Sequence, residues 1–297
     1  MNIALIGFGR FGKIYYKNLI SLKLFKKIII YRKKNNKKFE RLTKNSLKKN
    51  NIDLAIVATP VDTHFKIASL LIKNKIPIIL EKPAARNLLQ IYKLKKISLE
   101  NKTSVLINYS DLYNENFLKI IKHKNKFGKI NFFKINFGKY NGNYNKKNFQ
   151  PYFDWFPHIF AVVHTLFEEI KDIRIINFSA IKKKNFYFQS ISIKFHLFKN
   201  FYGNIYFSNN KRKKERKFLI KSYNSKILYD GYNDTNNYMK INNKILKLAK
   251  AEFTPMKNII LKLYKLRKNN KYYSNFDLSI KVHKTLNKIN FLLSKKN

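Results

Sequence analysis

Apolar positions in the first hundred residues follow two alternating periods. Ile3–Ile6, Ile28–Tyr31, Leu54–Ala58, Ile76–Leu80 and Ser104–Asn108 are short, mostly apolar runs, too short for helices and suited to buried strands. Between them, apolar residues recur at helical spacing. Ile14, Leu19, Ile20 and Leu22 mark a helix over Lys13–Leu24, Phe65, Ala68, Leu71 and Ile72 mark another, and Leu88–Ile97 a third. Strands alternating with helices of this length predict a doubly wound parallel sheet. Beyond residue 110 the pattern changes. Ile130, Phe132, Ile135 and Phe137 give Lys129–Gly138 a strand-like spacing, Lys139–Gln150 reads as a loop, and Phe156–Ile170 as an apolar helix. Strand candidates follow at Ile173–Ile181, Phe186–Phe198, Phe201–Ser208, Lys217–Tyr223 and Lys226–Tyr229, with hairpin character around Asn200 and Asn224. A helix opens at Thr254-Pro255, with Thr as N-cap and Pro at the first position, and Asp277–Leu293 closes the chain. The pattern divides the chain into domains 1–110 and 111–297.

The first strand runs into Gly7-Phe8-Gly9-Arg10-Phe11-Gly12. Gly7 permits a tight turn, Gly9 lets the backbone approach a pyrophosphate, and Gly12 lets the helix pack closely. The helix N-terminus then faces the anion. A tight strand–helix turn alone would use the same glycines. Position within a βαβ-length unit favours dinucleotide binding, with Arg10 and Phe11 inside the loop. The residue ending the second strand discriminates cofactors: a carboxylate bonds the ribose of NAD, an Arg accommodates the 2′-phosphate of NADP. Here Tyr31 is followed by Arg32-Lys33-Lys34 and no acid. NADP is therefore preferred over NAD, although Arg32 also reads as one more base in a Lys-rich loop. Ligands bind outside the carboxyl ends of such strands, which places Thr59, Pro60, Glu81, Lys82 and Asn108 on the same rim.

Charge adds a second question. The 297 residues hold 63 Lys+Arg against 16 Asp+Glu, a net +47. A basic surface invites nucleic acid. The excess is spread evenly, however, and Lys outnumbers Arg 55 to 8 alongside abundant Asn, Ile, Phe and Tyr. A nucleotide bias toward A/T-rich codons accounts for that composition, so no specific nucleic-acid partner is expected, and polyanion binding stands as an alternative. The absence of Cys excludes disulfides, Fe–S clusters and Cys-type zinc sites. No His set has metal-ligand spacing, since His158 and His164 are six apart, so no metal is expected. With no apolar run of membrane length and no signal-peptide pattern at the start, the expected location is cytoplasmic, without a membrane partner.

Ile56-Val57-Ala58-Thr59-Pro60 with His64, then Glu81-Lys82-Pro83, following the glycine loop at this spacing, resembles the Gfo/Idh/MocA oxidoreductases. Asp154-Trp155-Phe156-Pro157-His158 is similar to the D-x-x-x-H motif of that family. The resemblance implies an N-terminal Rossmann domain and a C-terminal α+β domain with a large, mostly antiparallel open sheet, one face of which serves homo-oligomerisation. It implies that Lys82 is an active-site lysine, that Asp154 and His158 form a substrate-side pair, and that His64 belongs with the cofactor-side residues. It also implies that the last helix packs back near the Rossmann domain. The activity implied is NAD(P)-dependent oxidation of a hydroxyl, or reduction of a keto carbon, of a sugar, cyclitol or nucleotide sugar. The Asp-x-x-Pro-His form looks most like members tied to surface polysaccharide.

The residues support these roles independently. Alcohol oxidation needs a base, and His titrates nearest working pH. A partly desolvated Lys beside a positive ring has a lowered pKa and can polarise oxygen. Asp154 and His158 are four apart and share a helix face. Asp154 also suits an N-cap, and His158 alone suits a satisfied core histidine. The family often carries a further acid one or three positions after this His, where this chain has Ile159 and Ala161. That departure keeps a non-catalytic cofactor-binding or scaffold protein as a rival. The dense Tyr and Phe of the later strands suit sheet packing better than sugar stacking.

Overall fold

The computed structural model describes residues 1–32, 41–140, 152–167, 170–183, 186–197, 201–233 and 236–295. The rest of the Arg32–Lys38 run, the loop from 141 to 150 and the turn at Asn200 lie outside them. The chain folds as two units, Met1–Ser110 with Phe253–His283, and Asp111–Glu252 with Lys284–Asn297.

In the first unit the short apolar runs are strands and the helical spacings are helices. The order is β1 (Asn2–Ile6), α1 (Arg10–Leu22), β2 (Lys27–Tyr31), α2 (Lys44–Lys49), β3 (Ile52–Val57), α3 (Val61–Lys73), β4 (Ile78–Glu81), α4 (Leu88–Glu100) and β5 (Val105–Asn108). All five strands are parallel, in the order β2-β1-β3-β4-β5, so the winding reverses between β1 and β3. Leu5, Ile56, Ile79 and Leu106 are fully buried in the sheet, each stabilising by about 1.5–3 kcal/mol relative to exposure.

The second unit continues with α5 (Glu115–Lys122), β6 (Ile130–Gly138), α6 (Tyr152–Leu166), β7 (Ile170–Lys183), β8 (Phe186–Leu197), β9 (Phe201–Ser208), β10 (Glu215–Ser222), β11 (Ser225–Asp230), β12 (Tyr238–Ile241) and β13 (Lys244–Lys247). Eight strands form one sheet in the order β13-β12-β11-β10-β6-β9-β8-β7, antiparallel throughout except for β6 with β9. The architecture is thus α/β, a parallel sheet followed by a mostly antiparallel one. The inner face of the second sheet is aromatic. Trp155 and Phe156 of α6 meet Phe137 and Phe207, and Phe117 of α5 meets Phe218 and Tyr229.

The chain closes with α7 (Pro255–Lys268) and α8 (Phe276–Ser294). The segment 253–283, assigned to the second domain on sequence, groups with the first unit. Its role there is physical. α7 lies against α1 and β3–β5. The Asn275 side chain accepts from Ile107 N at 2.7 Å and donates to Ile107 O at 3.0 Å, while Tyr273 O accepts from Val105 N. The outer edge of β5 would otherwise present unpaired backbone.

Two element boundaries depart from expectation. The helix expected over Phe156–Ile170 runs from Tyr152 to Leu166, and Ile170 already pairs with Leu197 in β7. Glu168-Glu169 marked the break in the sequence, but Phe167 and Ile170 continue the helical apolar spacing of α6 past its end. The helix α2 and the strands β12 and β13 are too short to carry a periodic signal, while α5, though amphipathic through Phe117, Ile120 and Ile121, was not foreseen.

Candidate cofactor rim and the α6 pair

The carboxyl ends of the first sheet bring most of the sequence-marked residues to one edge. Ile6 is in register with Tyr31 and Val57, and Glu81 with Asn108. Gly7 N donates to Tyr31 O at 3.0 Å and Ala58 N to Ile6 O at 2.8 Å, joining the glycine turn to its neighbours. Gly7 has φ +93°, and a Cβ there would lie 2.5 Å from Ala58 O. A Cβ on Gly12 would lie 2.2 Å from Gly7 O, so α1 sits directly on the turn. Over Gly9 there is open space.

The start of α1 fits an anion. Its N-cap, Gly9, offers no side-chain acceptor, and no acid occupies the first turn. By contrast Thr43, Asn87, Asn114 and Thr254 cap α2, α4, α5 and α7 with their own side chains. Helix N–H groups without a capping oxygen beside an open glycine are suited to a pyrophosphate. Arg10 and Phe11 are exposed at this point, with the guanidinium 5.8 Å from the ring centroid. Arg32 is exposed just past the end of β2.

Glu81, Tyr15 and Asn108 form a buried network. Tyr15 OH donates to Glu81 Oε1 at 2.7 Å, and Asn108 Nδ2 donates to Glu81 Oε1 and to Tyr15 OH, each at 2.7 Å. Asn108 Nδ2 also lies 3.4 Å from Met256 Sδ of α7. Asn108 Oδ1 is buried without a hydrogen-bond partner among the described residues. The Glu81 carboxylate fixes the amide orientation by requiring Nδ2 toward it. An acceptor left over at the rim suits a ligand that brings its own N–H or O–H donor.

His64 is the second fixed point. It is 1% exposed on α3, with Nδ1 2.9 Å from Pro83 O and Nε2 2.8 Å from Thr59 O. It therefore ties the loop after β3 to the loop after β4. Burial pushes its pKa down, opposed by these two carbonyls and by Glu81 and Asp62. A neutral imidazole has one N–H, so only one of the two carbonyls then receives a proton. Lys82, half-buried, stands between these anchors: Glu81 before it is locked in the network, and Pro83 after it, across a cis peptide, is held by His64. The side chains of Glu81 and His64, expected on the cofactor, are turned onto protein groups instead. Whatever they contribute to a ligand passes through the backbone they hold. Thr59 faces its own helix, accepting from Thr63 Oγ1 at 2.7 Å, and Pro60 is exposed beside it.

Tyr15 and Met256 were missed on sequence. A Tyr three residues past Gly12 on the buried side of α1 was a signal, because a buried Glu81 requires donors. Met256 carried none, since only the fold returns α7 to this sheet.

Asp154 and His158 lie in the second unit, one turn apart on α6 and both half-buried. The helix starts at Tyr152, so Asp154 sits inside the first turn, where a carboxylate favours the helix dipole, rather than at the cap. Tyr152 OH donates to Asn290 Oδ1 at 2.7 Å and anchors this end, and burial pushes its pKa up to about 12. Ile159 and Ala161, where the resembled family often has an acid, are fully buried. His164 points elsewhere, with Nε2 2.8 Å from Thr285 Oγ1. Among the described residues no three His, Asp or Glu cluster as a metal site, and no helix is long and apolar enough to cross a membrane.

Comparison with known proteins bears on this geometry. None of the curated proteins compared matches the chain. Among solved structures, UDP-N-acetylglucosamine 3-dehydrogenase GnnA from Acidithiobacillus ferrooxidans superposes with a TM-score of 0.81 at 13% identity, over 98% of this chain and 97% of its own. A myo-inositol dehydrogenase from Corynebacterium glutamicum gives 0.79 at 14%, over 97% and 94%. Biliverdin reductase from Synechocystis, in complex with biliverdin and NADP+, gives 0.71 at 12%, over 95% and 96%. At such identities the likeness is one of fold. Residues 1–109 match the Gfo/Idh/MocA model, described as an oxidoreductase family with an NAD-binding Rossmann fold. The family likeness thus covers the N-terminal domain, which is similar to the NAD-binding Rossmann domain of the Gfo/Idh/MocA oxidoreductases.

Proposed function

We propose that the protein is an NAD(P)-dependent dehydrogenase that interconverts a hydroxyl and a keto carbon on a sugar, cyclitol or nucleotide sugar. The observation that carries the reading is the uncapped start of α1 above the open Gly9, with Lys82 fixed on the same rim between the Glu81 network and His64. Gly7, Gly9 and Gly12 would hold the pyrophosphate of the cofactor, and the Asn108 carboxamide would offer its spare acceptor. The bound nicotinamide supplies the hydride exchange. Lys82 polarises the substrate oxygen, His158 takes or returns the hydroxyl proton, and Asp154 orients the substrate. Arg32 and Arg10 favour NADP over NAD, because guanidinium matches a phosphate fork. GnnA acts on a nucleotide sugar and inositol dehydrogenase on a cyclitol, which supports the substrate class, as a cytoplasmic enzyme of surface polysaccharide synthesis would require. The biliverdin reductase shows that this fold also carries other reductions.

The test is fluorescence titration with NADPH and NADH, followed by turnover on a panel of nucleotide sugars with wild type and Lys82→Met. Tight NADPH binding with turnover lost in the variant supports the reading. No binding of either nucleotide ends it. Binding without turnover on any hydroxyl substrate would favour the scaffold rival, which the apolar Ile159 and Ala161 recommend.

A further inference from the structure

The outer face of the eight-stranded sheet gathers charge that the sequence spreads out. By register, Lys221, Lys226 and Lys240 stand directly side by side on β10, β11 and β12. Like charges directly opposite are destabilising in a sheet. A second row runs from Lys194 through Asn204 to Lys134 on β8, β9 and β6. None of these five lysines has a carboxylate within ion-pair distance among the described residues. The three acids that register places on this face are already neutralised: Glu215 by Lys211, Asp230 by Lys217, and Asp172 by Arg174 and Lys288.

Aromatic rings interleave with the bases. Lys194 lies 4.5 Å from the centroid of Tyr202, Lys211 4.8 Å from Tyr206, Lys221 5.4 Å from Phe132 and Lys226 6.0 Å from Tyr238. Tyr202 is 49% exposed. A hollow of about 450 Å³ opens on this face, lined in part by Lys134, Asn136, Asn204, Tyr206 and Lys211. The inner face of the same strands is apolar and covered by α5 and α6, so the outer face is not needed for the core.

We propose that this face binds single-stranded nucleic acid without sequence preference. Phosphates would neutralise the lysine rows through counterion release, and bases would extend the stack that exposed Tyr202 already makes on His196 and pack at the edges of the half-buried Tyr206 and Tyr238. A second copy of the chain suits the face poorly. A twofold contact would set lysine rows against lysine rows, and stable interfaces are depleted in Lys. The homo-oligomerisation expected through this sheet meets that cost.

The experiment is fluorescence anisotropy of the full chain with a labelled 20-nucleotide dT oligomer across a salt series. The face variant is Lys221→Gln, Lys226→Gln and Lys240→Gln together. The control removes the same charge from exposed positions of the first unit, Lys66→Gln on α3, Lys93→Gln on α4 and Lys102→Gln in the turn after α4. The face variant should flatten the log–log salt slope by about 2, at about 0.7 per lost phosphate contact, and the control should not. Tyr202→Ala should weaken binding by about fivefold or more. NADPH titration of each variant and its circular dichroism check that the chain is folded. Equal losses in face and control variants would overturn the proposal, leaving a diffuse basic surface. So would no binding at low salt, or an oligomer by light scattering that the face variant alone dissociates.

Discussion

The rim of the first unit and helix α6 of the second contrast in how deeply their polar side chains are buried. On the rim, Tyr15, Glu81, Asn108 and His64 are all 6% exposed or less and bonded inward to protein, so of these four only the spare Asn108 carboxamide oxygen is left for a ligand, beside the open Gly9 and the more exposed Arg10 and Lys82. On α6, Asp154 and His158 are half-buried, on a helix whose apolar remainder anchors to the sheet. A rigid rim suits a cofactor common to many reactions, whereas accessible side chains suit a particular substrate and proton transfer.

That division can be broken in order of expected effect. Lys82→Met and His158→Asn should each lower turnover by about 10²–10⁴, the usual scale of a lost acid/base group, with NADPH affinity within a few-fold of wild type. If His158→Asn instead abolished nucleotide binding, the assignment of α6 to the substrate side would fail. Gly9→Asp places a carboxylate at the α1 N-cap, in a backbone conformation open to any residue (φ −75°). It should raise the melting temperature slightly or leave it unchanged, since the gain over Gly is about a few tenths of a kcal/mol. NADPH binding should nonetheless weaken by about a hundredfold, because the new carboxylate occupies and repels at the anion site. Retained affinity would show that α1 does not receive the pyrophosphate. Tyr15→Phe removes one donor from the buried Glu81 and should cost about 1–3 kcal/mol in denaturant unfolding. The smallest effect is that of His64. Its folded pKa lies below 6.5, so the unfolded state binds the proton more readily once pH falls under that value. Stability should therefore be flat with respect to this group above about 6.5 and decline below it, and thermal melts of His64→Gln should lack that component.

Much of the rim was legible beforehand. The strand–turn–helix setting of Gly7–Gly12 carried both the sheet and the tight turn under α1, since only glycine tolerates the φ at Gly7 and the approach at Gly12. The strand ends at Glu81 and Asn108 were legible as positions. Their inward hydrogen bonds were not, because side-chain partners so far apart along the chain, such as Tyr15 and Glu81, leave no local periodicity. The same holds for His64, which reaches Pro83 nineteen residues on as well as its own preceding loop. The one-turn spacing of Asp154 and His158 on α6 was legible in the sequence, whereas the end of α6 was obscured because Phe167 and Ile170 prolong its apolar spacing across Glu168-Glu169.

The sequence by itself determined the elements and the local geometry, because apolar periodicity, helix caps and glycine torsions act within a few residues. It did not determine where charge collects. Counted along the chain, the lysines are an even background, and only strand register sets Lys221, Lys226 and Lys240 abreast on one face. Nor did it place α7. Covering one parallel sheet and pairing the open edge of β5 is a matter of long-range packing, and the tertiary structure alone returned α7 and the segment through Asn275 to the first unit, whereas a return of the last helix was expected from the resemblance.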